Sequence, residues 1–452
     1  MDKRLLHNAL IVNEGRIFKG FVEISSDGLI TDIGEGVPPD VLTERYADRA
    51  LDLNGDWLLP GVIDSHVHFR EPGGEHKATI ASESRAAVAG GVTSFMEMPN
   101  TNPATVSLEA LEDKFCRAQE DSVANYAFWI GATRDNVDVL RSVDYSRVPG
   151  VKLFMGSSTG GMLVDGEDSL AEIFKLPVLV AAHCEDETIV RANMQAVRSL
   201  YADRNPEILW HPQIRDVLAC YKSTAHAVHL AAKYGTRLHV MHLTTAQELG
   251  LFSADNPNVT AEVCVAHLRF TDADYDRLGT RIKCNPAVKS VVHRDALRDA
   301  VRSGLVATIS TDHAPHTLDE KSKGLFEAPS GMPMVQFSLP AMLDLALRGE
   351  LSPQTVVQKM CHAQADIFGI QGRGYIREGY AADLVQVNPD AETVVDKEII
   401  LSKCGWSPLE GERLRSKIIR TWVNGRQVYD SMSGVREDTH ASLPLRFGRR
   451  SI

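Results

Sequence analysis

The chain carries near residue 60 the stretch Gly61-Val62-Ile63-Asp64-Ser65-His66-Val67-His68-Phe69-Arg70, an apolar run that ends in two histidines and an arginine. Side chains alternate between the two faces of a β-strand, so His66 and His68 point to the same side. Two imidazoles at one strand end suit a metal ion. Arg70 continues the alternation with a guanidinium, which binds carboxylates through paired hydrogen bonds. The stretch therefore predicts a metal site beside an anion site, and with it hydrolysis, or the reverse reaction, on a small acidic substrate.

Strands and helices alternate through the middle of the chain. Short apolar runs predict strands at residues 92–96, 126–130, 151–154, 177–182, 237–241 and 306–310. A helix is predicted at about residues 213–234, with Gly235 at its end. Alternation over roughly 300 residues favours the α/β class, most simply a TIM-like (β/α)₈ barrel. A doubly wound sheet stays open as an alternative, although no Gly-x-Gly-x-x-Gly motif opens it.

Both ends of the chain have β-strand character. Near the start, β-prone runs at 10–12 and 21–24 are separated by turn residues. Near the other end, the dipeptide Asn424-Gly425 between two such runs is typical of a type I′ hairpin. We therefore predict a small β-sandwich formed by both termini. Its two parts are expected at residues 1–58 and 375–452, around a metal-dependent barrel at 59–374.

Composition and charge limit the classes of partner. The chain has 452 residues, of which 44% are hydrophobic and 24% charged, as in ordinary soluble globular proteins. A formal net charge of -12 argues against nucleic acid and anionic membranes as partners. Seven scattered cysteines without a Cys-x-x-Cys pair indicate a reducing compartment. Neither a signal peptide nor an apolar run of about 20 residues is evident, so we expect a cytoplasmic protein.

Residues of the kinds that bind metals stand at the ends of several predicted strands. In a (β/α)₈ barrel, catalytic groups gather at the C-terminal ends of the strands. The candidate ligands are His66, His68, His183, His242 and Asp312. Each alone could be an ordinary hydrogen-bonded side chain. Together they require the same barrel mouth, where imidazoles and a carboxylate would make a site suited to Zn²⁺.

Lys152, inside the predicted strand at 151–154, does not fit a simple metal site, because an ammonium group and a metal cation repel each other. One alternative is an ordinary lysine that reaches solvent. The other is an amine that has reacted with carbon dioxide, since the resulting carbamate is anionic and could bridge two metal ions at roughly 3.5–4 Å. Residue chemistry alone leaves both open.

Longer motifs indicate the family. They are Pro60-Gly61-Val62-Ile63-Asp64-Ser65-His66-Val67-His68-Phe69-Arg70-Glu71-Pro72-Gly73, Met98-Pro99-Asn100-Thr101, Lys283-Cys284-Asn285-Pro286, Asp312-His313-Ala314-Pro315-His316-Thr317 and Gly379-Tyr380-Ala381-Ala382-Asp383-Leu384. Over about residues 54–387 the chain resembles the dihydroorotases of the amidohydrolase superfamily. The resemblance implies a binuclear zinc barrel. One ion would be held by His66, His68 and Asp312, the other by His183 and His242, with carboxylated Lys152 as the bridge.

The same resemblance implies the remaining roles. Asp312 would be the general base and acid as well as a ligand. The implied substrate-binding residues are Arg70, Asn100, Asn285, His316, Ser330 and Gly331, the last two through their backbone. The implied reaction is the reversible cyclisation of N-carbamoyl-L-aspartate to L-dihydroorotate in de novo pyrimidine (UMP) biosynthesis, catalysed by a hydrolase of cyclic amide C–N bonds. We expect a homo-oligomer of two or more copies.

Two other functions stay open. Cyclic amidases of the allantoinase or hydantoinase type share the metal site but generally lack the arginine after His-x-His, so Arg70 discriminates between the two classes. A catalytically inactive homologue could serve as a scaffold, but such proteins tend to lose ligands, and bound zinc would separate the two cases. The small residues at 157–161 could form a loop that gates the site or an ordinary βα loop.

Overall fold

A computed structural model describes residues 3–156, 161–202, 204–436 and 441–448. Of the predicted gating segment, residues 157–160 lie outside these ranges. The strands are β1 (Arg4–Asn13), β2 (Arg16–Ile24), β3 (Ile30–Glu35), β4 (Ala50–Asp52), β5 (Trp57–Pro60), β6 (Val62–Val67), β7 (Val92–Glu97), β8 (Asn125–Phe128), β9 (Ile130–Gly131), β10 (Val151–Phe154), β11 (Val180–His183), β12 (Leu238–Val240), β13 (Val259–Cys264), β14 (Thr308–Ser310), β15 (Leu384–Val394), β16 (Arg413–Val423), β17 (Arg426–Asp430) and β18 (Gly434–Val435).

The helices lie mostly between the strands of the middle region. They are α1 (Asp40–Tyr46), α2 (Ile80–Ala89), α3 (Leu108–Asp121), α4 (Val137–Ser142), α5 (Glu167–Phe174), α6 (Glu187–Tyr201), α7 (His211–Ile214), α8 (Val217–Tyr234), α9 (Val265–Arg269), α10 (Tyr275–Leu278), α11 (Val291–Ser303), α12 (Leu318–Lys321), α13 (Ser338–Leu347), α14 (Pro353–Val357) and α15 (Ala363–Phe368). Short 3₁₀ turns and one π turn, Gln358–His362, complete the helical segments. Among the described residues, no helix has the length and apolarity that crossing a bilayer requires.

Parallel strands form the wall of a barrel. β6, β7 and β8 pair in that order, and β9 to β14 pair in chain order. β8 and β9 are separated only by Trp129, so together they fill one position and the wall has eight. A parallel bridge from Val67 to His313 joins the first position to the last, and His68 N donates to His313 O at 2.7 Å. These strands are buried on both faces, as expected where helices cover a parallel sheet. The arrangement fits the predicted (β/α)₈ barrel.

The two ends of the chain meet in one nine-stranded sheet. Its order is β18-β17-β16-β15-β5-β1-β2-β3, with β4 beside β1. β15 pairs antiparallel with β5, and Leu384 lies opposite Pro60. The predicted hairpin at Asn424-Gly425 joins β16 to β17, and both turn residues have the positive φ that a type I′ turn requires. The sandwich layering and the boundaries at 58/59 and 374/375 stay predictions.

The long helix begins later than its predicted start at residue 213. α7 ends at Ile214, and α8 begins only at Val217. The Asp216 side chain accepts a hydrogen bond from Ala219 N at 2.8 Å, so this residue caps a new helix instead of continuing the previous turn. The end of α8 is as predicted, because Gly235 adopts the left-handed conformation with φ of 71°.

A buried carboxylate fastens the terminal sheet to the barrel. Asp383 precedes β15 and accepts hydrogen bonds from the Arg373 guanidinium and from Asn125 Nδ2, the latter at 3.1 Å. It also accepts from the backbone N of Asn424 at 2.7 Å. Asn125 begins barrel strand β8, whereas Asn424 lies in the β16–β17 turn. Asp383 therefore links three segments that are far apart in the sequence.

Replacing Asp383 with Ala should lower the free energy of unfolding by about 3–5 kcal/mol, because the Arg373 charge would stay buried without its partner. Urea denaturation followed by circular dichroism measures the change. The matched control is Glu35→Ala, which removes an exposed ion pair with Arg16 and should cost less than about 1 kcal/mol. Equal losses in the two variants would contradict the role given to Asp383.

Candidate metal centre and substrate cavity

A cavity of about 190 Å³ lies where the C-terminal ends of the barrel strands converge. Its lining residues are His66, His68, Arg70, Asn100, Lys152, Phe154, His183, His242, Asn285, Asp312, Ala314, His316, Pro329, Ser330 and Gly331. Every residue predicted to bind metal or substrate is among them. The fold thus brings together residues that are spread over the sequence from position 66 to position 331. Their individual roles stay predictions.

The first ligand group consists of His66, His68 and Asp312. Asp312 Oδ1 lies 3.3 Å from His66 Nε2 and 3.0 Å from His68 Nε2. One nitrogen of each ring and a carboxylate oxygen lie within 4.8 Å of one another. Burial would raise the pKa of Asp312, but His66, His68 and Lys152 outweigh it and lower the pKa to about 2. The group therefore offers two imidazoles and an ionised carboxylate that converge on one point.

The second ligand group is the pair His183 and His242. His183 Nδ1 and His242 Nε2 are 2.9 Å apart, and the His66 and His242 ring centroids are separated by 5.3 Å. Burial lowers the pKa of both His183 and His242, so their rings are neutral and can act as ligands. Among the described residues, buried His242 Nδ1 has no hydrogen-bond partner. The two converging ring nitrogens and the unpartnered nitrogen are the kind of donors that a metal cation binds.

The two groups together fit a divalent metal of the zinc type. Zn²⁺ prefers imidazole nitrogens and carboxylate oxygens in four-coordinate sites. The first group supplies three such donors, and the second supplies two beside them. The donors that the fold assembles here therefore suit a divalent metal, and the assignment of each ligand stays a prediction.

Lys152 lies in β10 with its side chain fully buried. Its Nζ donates to Met241 Sδ at 2.8 Å and lies 4.7 Å from the centroid of the Phe154 ring. Within the described part of the chain, no carboxylate lies within ion-pairing distance of it. Burial lowers the pKa of Lys152 to about 8. A neutral amine is therefore accessible, and this is the form that can react with carbon dioxide.

Glu262 was not predicted, although it holds both ligand groups. This carboxylate in β13 is fully buried, and its Oε1 lies 2.7 Å from His66 Nδ1 and accepts from His242 N at 3.2 Å. Burial would raise the pKa of Glu262, but His66 and His239 hold it well below its usual range. The available signal was a glutamate inside the strand Val259–Cys264, whose other residues are apolar except for Thr260.

Glu185 supports the second group in the same way. Its Oε2 lies 3.0 Å from His183 Nε2 and also accepts from the Arg215 guanidinium. Burial would raise the pKa of Glu185, but Arg215 and His183 lower it to about 2. Since Glu185 engages Nε2, the Nδ1 atom of His183 is the one directed at His242. Such outer carboxylates fix the orientation of histidine ligands.

Two polar neighbours of the ligands do not face the cavity. Asp64 accepts from Thr311 Oγ1 at 2.6 Å and from His66 N at 3.2 Å, so it joins the first and last strands and does not touch the His66 ring. His313 turns away towards α2, where its Nε2 lies 2.9 Å from Glu83 Oε2. The alternation of side chains along the chain accounts for the direction of His313.

Arg70 lies at the edge of the cavity beside the first ligand group. Its Nε donates to Pro315 O at 3.0 Å, and its Nη2 lies 3.0 Å from His316 Nε2. No described carboxylate forms an ion pair with it. Burial lowers the pKa of Arg70 to about 10, so the guanidinium remains charged at neutral pH. A largely buried cation without a carboxylate partner is a site for an anion.

The other predicted substrate residues complete the cavity. Asn100 Oδ1 accepts from His68 Nδ1 at 2.8 Å, and Asn285 Oδ1 is buried without a partner among the described residues. At Gly331, where φ is 132°, an added Cβ would lie 2.5 Å from Ala314 O, so only glycine fits there. Lys321 Nζ donates to Gly331 O at 2.8 Å and so holds this part of the loop.

Comparison with known proteins gives the family. Residues 57–428 match the Amidohydrolase family. The chain is 36% identical to a dihydroorotase from Halobacterium salinarum, which covers 90% of this chain and 95% of that one. It is 32% identical to an allantoinase from Rubrobacter xylanophilus, and the match covers 93% of this chain and 94% of that one. The solved structure of the L-hydantoinase from Arthrobacter aurescens matches with a TM-score of 0.91 at 25% identity. This match covers 99% of this chain and 100% of that one. The family predicted from the motifs is thereby confirmed: the chain belongs to the amidohydrolase family.

Proposed function

We propose that the protein is a dihydroorotase, which interconverts N-carbamoyl-L-aspartate and L-dihydroorotate. The observation that carries this proposal is Arg70, a charged guanidinium beside the ligand cluster with no ion-paired carboxylate among the described residues. Dihydroorotate is a cyclic amide with a carboxylate on its ring, so it needs both a hydrolytic centre and an anion site. Dihydroorotases from several archaea are 29–36% identical to this chain.

The ligand groups would hold two zinc ions. His66, His68 and Asp312 would bind one, His183 and His242 the other, and carboxylated Lys152 would bridge them. When bound, zinc supplies a Lewis acid for the amide carbonyl and lowers the pKa of water. The buried amine of Lys152 supports the bridging role, because a carbamate would replace an unpaired ammonium with an anion.

The chain's own residues bind the substrate and move its proton. Arg70 and Asn100 would orient the carboxylate through charge-assisted hydrogen bonds, and Asn285 and His316 would complete the contacts. Asp312 Oδ1 faces the two histidines, so Oδ2 is the oxygen left for proton transfer. In hydrolysis Oδ2 takes the proton of the attacking water and returns it to the leaving ring nitrogen. In cyclisation Oδ2 accepts the proton of the ureido nitrogen as this nitrogen bonds to the side-chain carboxyl carbon, and returns the proton to the oxygen that leaves as water.

A cyclic amidase for uncharged rings is the second candidate. It is favoured by the allantoinase relative at 32% identity and by the hydantoinase structure at a TM-score of 0.91. Such substrates carry no carboxylate and would leave Arg70 without a partner, so the first candidate explains more of the cavity. An inactive scaffold would not need the complete set of converging ligands that the cavity retains.

Three expectations complete the proposal. We propose a cytoplasmic location, which the seven free cysteines support because disulfides are rare in reducing compartments. We also propose a homo-oligomer, which light scattering would test against the 49.7 kDa mass of one chain. The third is that the terminal sheet folds over into the small sandwich predicted from both chain ends.

Arg70→Met should lower kcat/KM for dihydroorotate at least about 100-fold, because two hydrogen bonds to the substrate carboxylate would be lost and each contributes about 1.5–3 kcal/mol. Steady-state kinetics with dihydroorotate, allantoin and hydantoin measure this effect. The control is Arg413→Met, which removes an exposed arginine paired with Glu392. Unchanged kinetics in Arg70→Met would contradict the anion site. Turnover of only the uncharged rings by the unaltered enzyme would replace the proposed function with the second candidate.

Lys152→Met should reduce the zinc content below two per chain, because the bridging carbamate would be lost. Elemental analysis gives the metal content, and ¹³C NMR after growth with labelled bicarbonate detects the carbamate. Lys359→Met is the matched control: Lys359 is also buried with a pKa near 8, but it donates to Val306 O away from the cavity. A carbamate signal that persists in Lys152→Met would contradict the assignment.

Asp312→Asn should lower kcat by about 10²–10⁴, the usual contribution of a general base. Since Asp312 is also a predicted ligand, the zinc content of the variant is measured in parallel. The decisive sample is the variant reconstituted to the zinc content of the unaltered enzyme. If that sample retains full turnover, proton transfer does not pass through Asp312.

A further inference from the structure

We propose that Lys77 is a positioning residue: it fixes the tautomer of His316 and thereby leaves Arg70 free to bind the substrate carboxylate. The last step rests on the proposed function, because it needs a substrate with a carboxylate. The tautomer itself is a property of the free protein. Lys77 does not line the cavity, and neither the motifs nor the comparisons assign it a role.

His316 lies between two cations. Lys77 Nζ is 3.0 Å from its Nδ1, and Arg70 Nη2 is 3.0 Å from its Nε2. The backbone oxygen of Ser330 also lies 3.0 Å from Nε2. Burial, together with the nearby Arg70, Lys77 and Lys321 charges, lowers the pKa of His316 far below its ordinary value. The ring is therefore neutral and carries one N–H.

Two of these three contacts, those of Lys77 and Ser330, are satisfied when that hydrogen is on Nε2, whereas the other tautomer satisfies only the Arg70 contact. An ammonium group can only donate, so the contact with Lys77 makes Nδ1 of His316 the acceptor and favours the hydrogen on Nε2. A backbone carbonyl can only accept, so Ser330 O is matched to an N–H at the same atom. Glu320 Oε2 could favour the other tautomer, but at 3.7 Å from Nδ1 it is beyond hydrogen-bonding distance.

Glu320 instead holds the Lys77 ammonium in place. Its Oε1 lies 2.9 Å from Lys77 Nζ, and its Oε2 accepts from Thr317 N at 3.0 Å in the capping box of α12. Partial burial would raise the pKa of Glu320, but Lys77 and the Thr317 backbone outweigh it and lower the pKa. The N-terminus of α12 thus fixes the Glu320 carboxylate, and Glu320 in turn fixes the Lys77 ammonium group that contacts His316.

The tautomer decides what Arg70 can do. With a hydrogen on His316 Nε2, two donors face each other across the 3.0 Å to Arg70 Nη2, so this contact is not a hydrogen bond and an anion bound there would relieve the repulsion. Arg70 Nε stays bonded to Pro315 O, so the guanidinium is oriented while Nη2 keeps a hydrogen for an anion. In the other tautomer, Nε2 would accept from Arg70 and Ser330 O would lose its donor. Lys77 therefore keeps available for the substrate the Nη2 hydrogen that His316 would otherwise accept.

Histidine ring NMR on the zinc-loaded enzyme tests the tautomer directly. With ¹³C- and ¹⁵N-labelled histidine, a His316→Gln difference spectrum identifies this ring among the 16 histidines. The unaltered enzyme should show the Nε2–H form. Lys77→Met should shift the ring towards the Nδ1–H form, whereas Lys77→Arg should keep it, because a guanidinium also only donates. The control Lys175→Met, which breaks another Lys–Glu pair, should leave the signal unchanged.

Kinetics test the consequence for Arg70. Lys77→Met should raise KM for dihydroorotate about tenfold, the lower end for one hydrogen bond to a charged group, with kcat almost unchanged. Lys77→Arg should restore KM. In an Arg70→Met background the Lys77→Met effect should vanish, because the hydrogen it protects no longer exists. A merely structural lysine would give additive losses.

An Nε2–H signal that persists in Lys77→Met, or a KM effect that survives in the Arg70→Met background, would overturn the proposal. Failure of the proposed function is distinguishable from this. If the unaltered enzyme bound zinc but did not turn over dihydroorotate, the substrate assignment would be wrong. The NMR comparison of the zinc-loaded, substrate-free proteins would still decide whether Lys77 sets the tautomer.

Discussion

The Glu262 carboxylate, buried in the seventh barrel strand, connects the two halves of the metal centre. It contacts the His66 ring of the first ligand group and the His242 backbone of the second. A buried carboxylate is tolerated only when its oxygens accept hydrogen bonds. Both ligand groups must therefore stay in position to supply the hydrogen bonds that Glu262 needs. In turn, the ligands are oriented before any metal binds. Barrel closure and ligand geometry are therefore coupled through one side chain.

The charge of Arg70 beside this centre differs in sign from the net charge of the chain. The net charge is -12, yet the cavity is lined by the charged guanidinium of Arg70. A low local dielectric strengthens the attraction of this cation for an anion. The overall charge disfavours polyanions as partners, while the proposed role of Arg70 is to bind a small carboxylate. The two levels of charge thus serve different kinds of specificity.

Residues at strand ends were predictable, and their outer partners were not. His66, His68 and Asp312 follow from strand periodicity and from the rule that barrel strands end at a common mouth. Glu262 and Glu185 were missed because a carboxylate becomes a partner only through the register of neighbouring strands. The predicted start of the long helix was wrong for a related reason. The Asp216 side chain caps a new helix after α7 ends, and the periodicity of apolar residues does not show where one helix ends and the next begins.

Local patterns along the chain determined the class of fold, the hairpin at Asn424-Gly425 and the chemical types that gather at the site. These features depend on neighbours in the sequence, through alternation, turn conformation and short motifs. The tertiary structure alone decided which groups meet: Glu262 with His66, Asp383 with Asn125, and Lys77 with His316. Each pair joins residues about 200 or more positions apart, and such contacts exist only once the barrel closes. The state of a single hydrogen on His316 is therefore set by the whole fold.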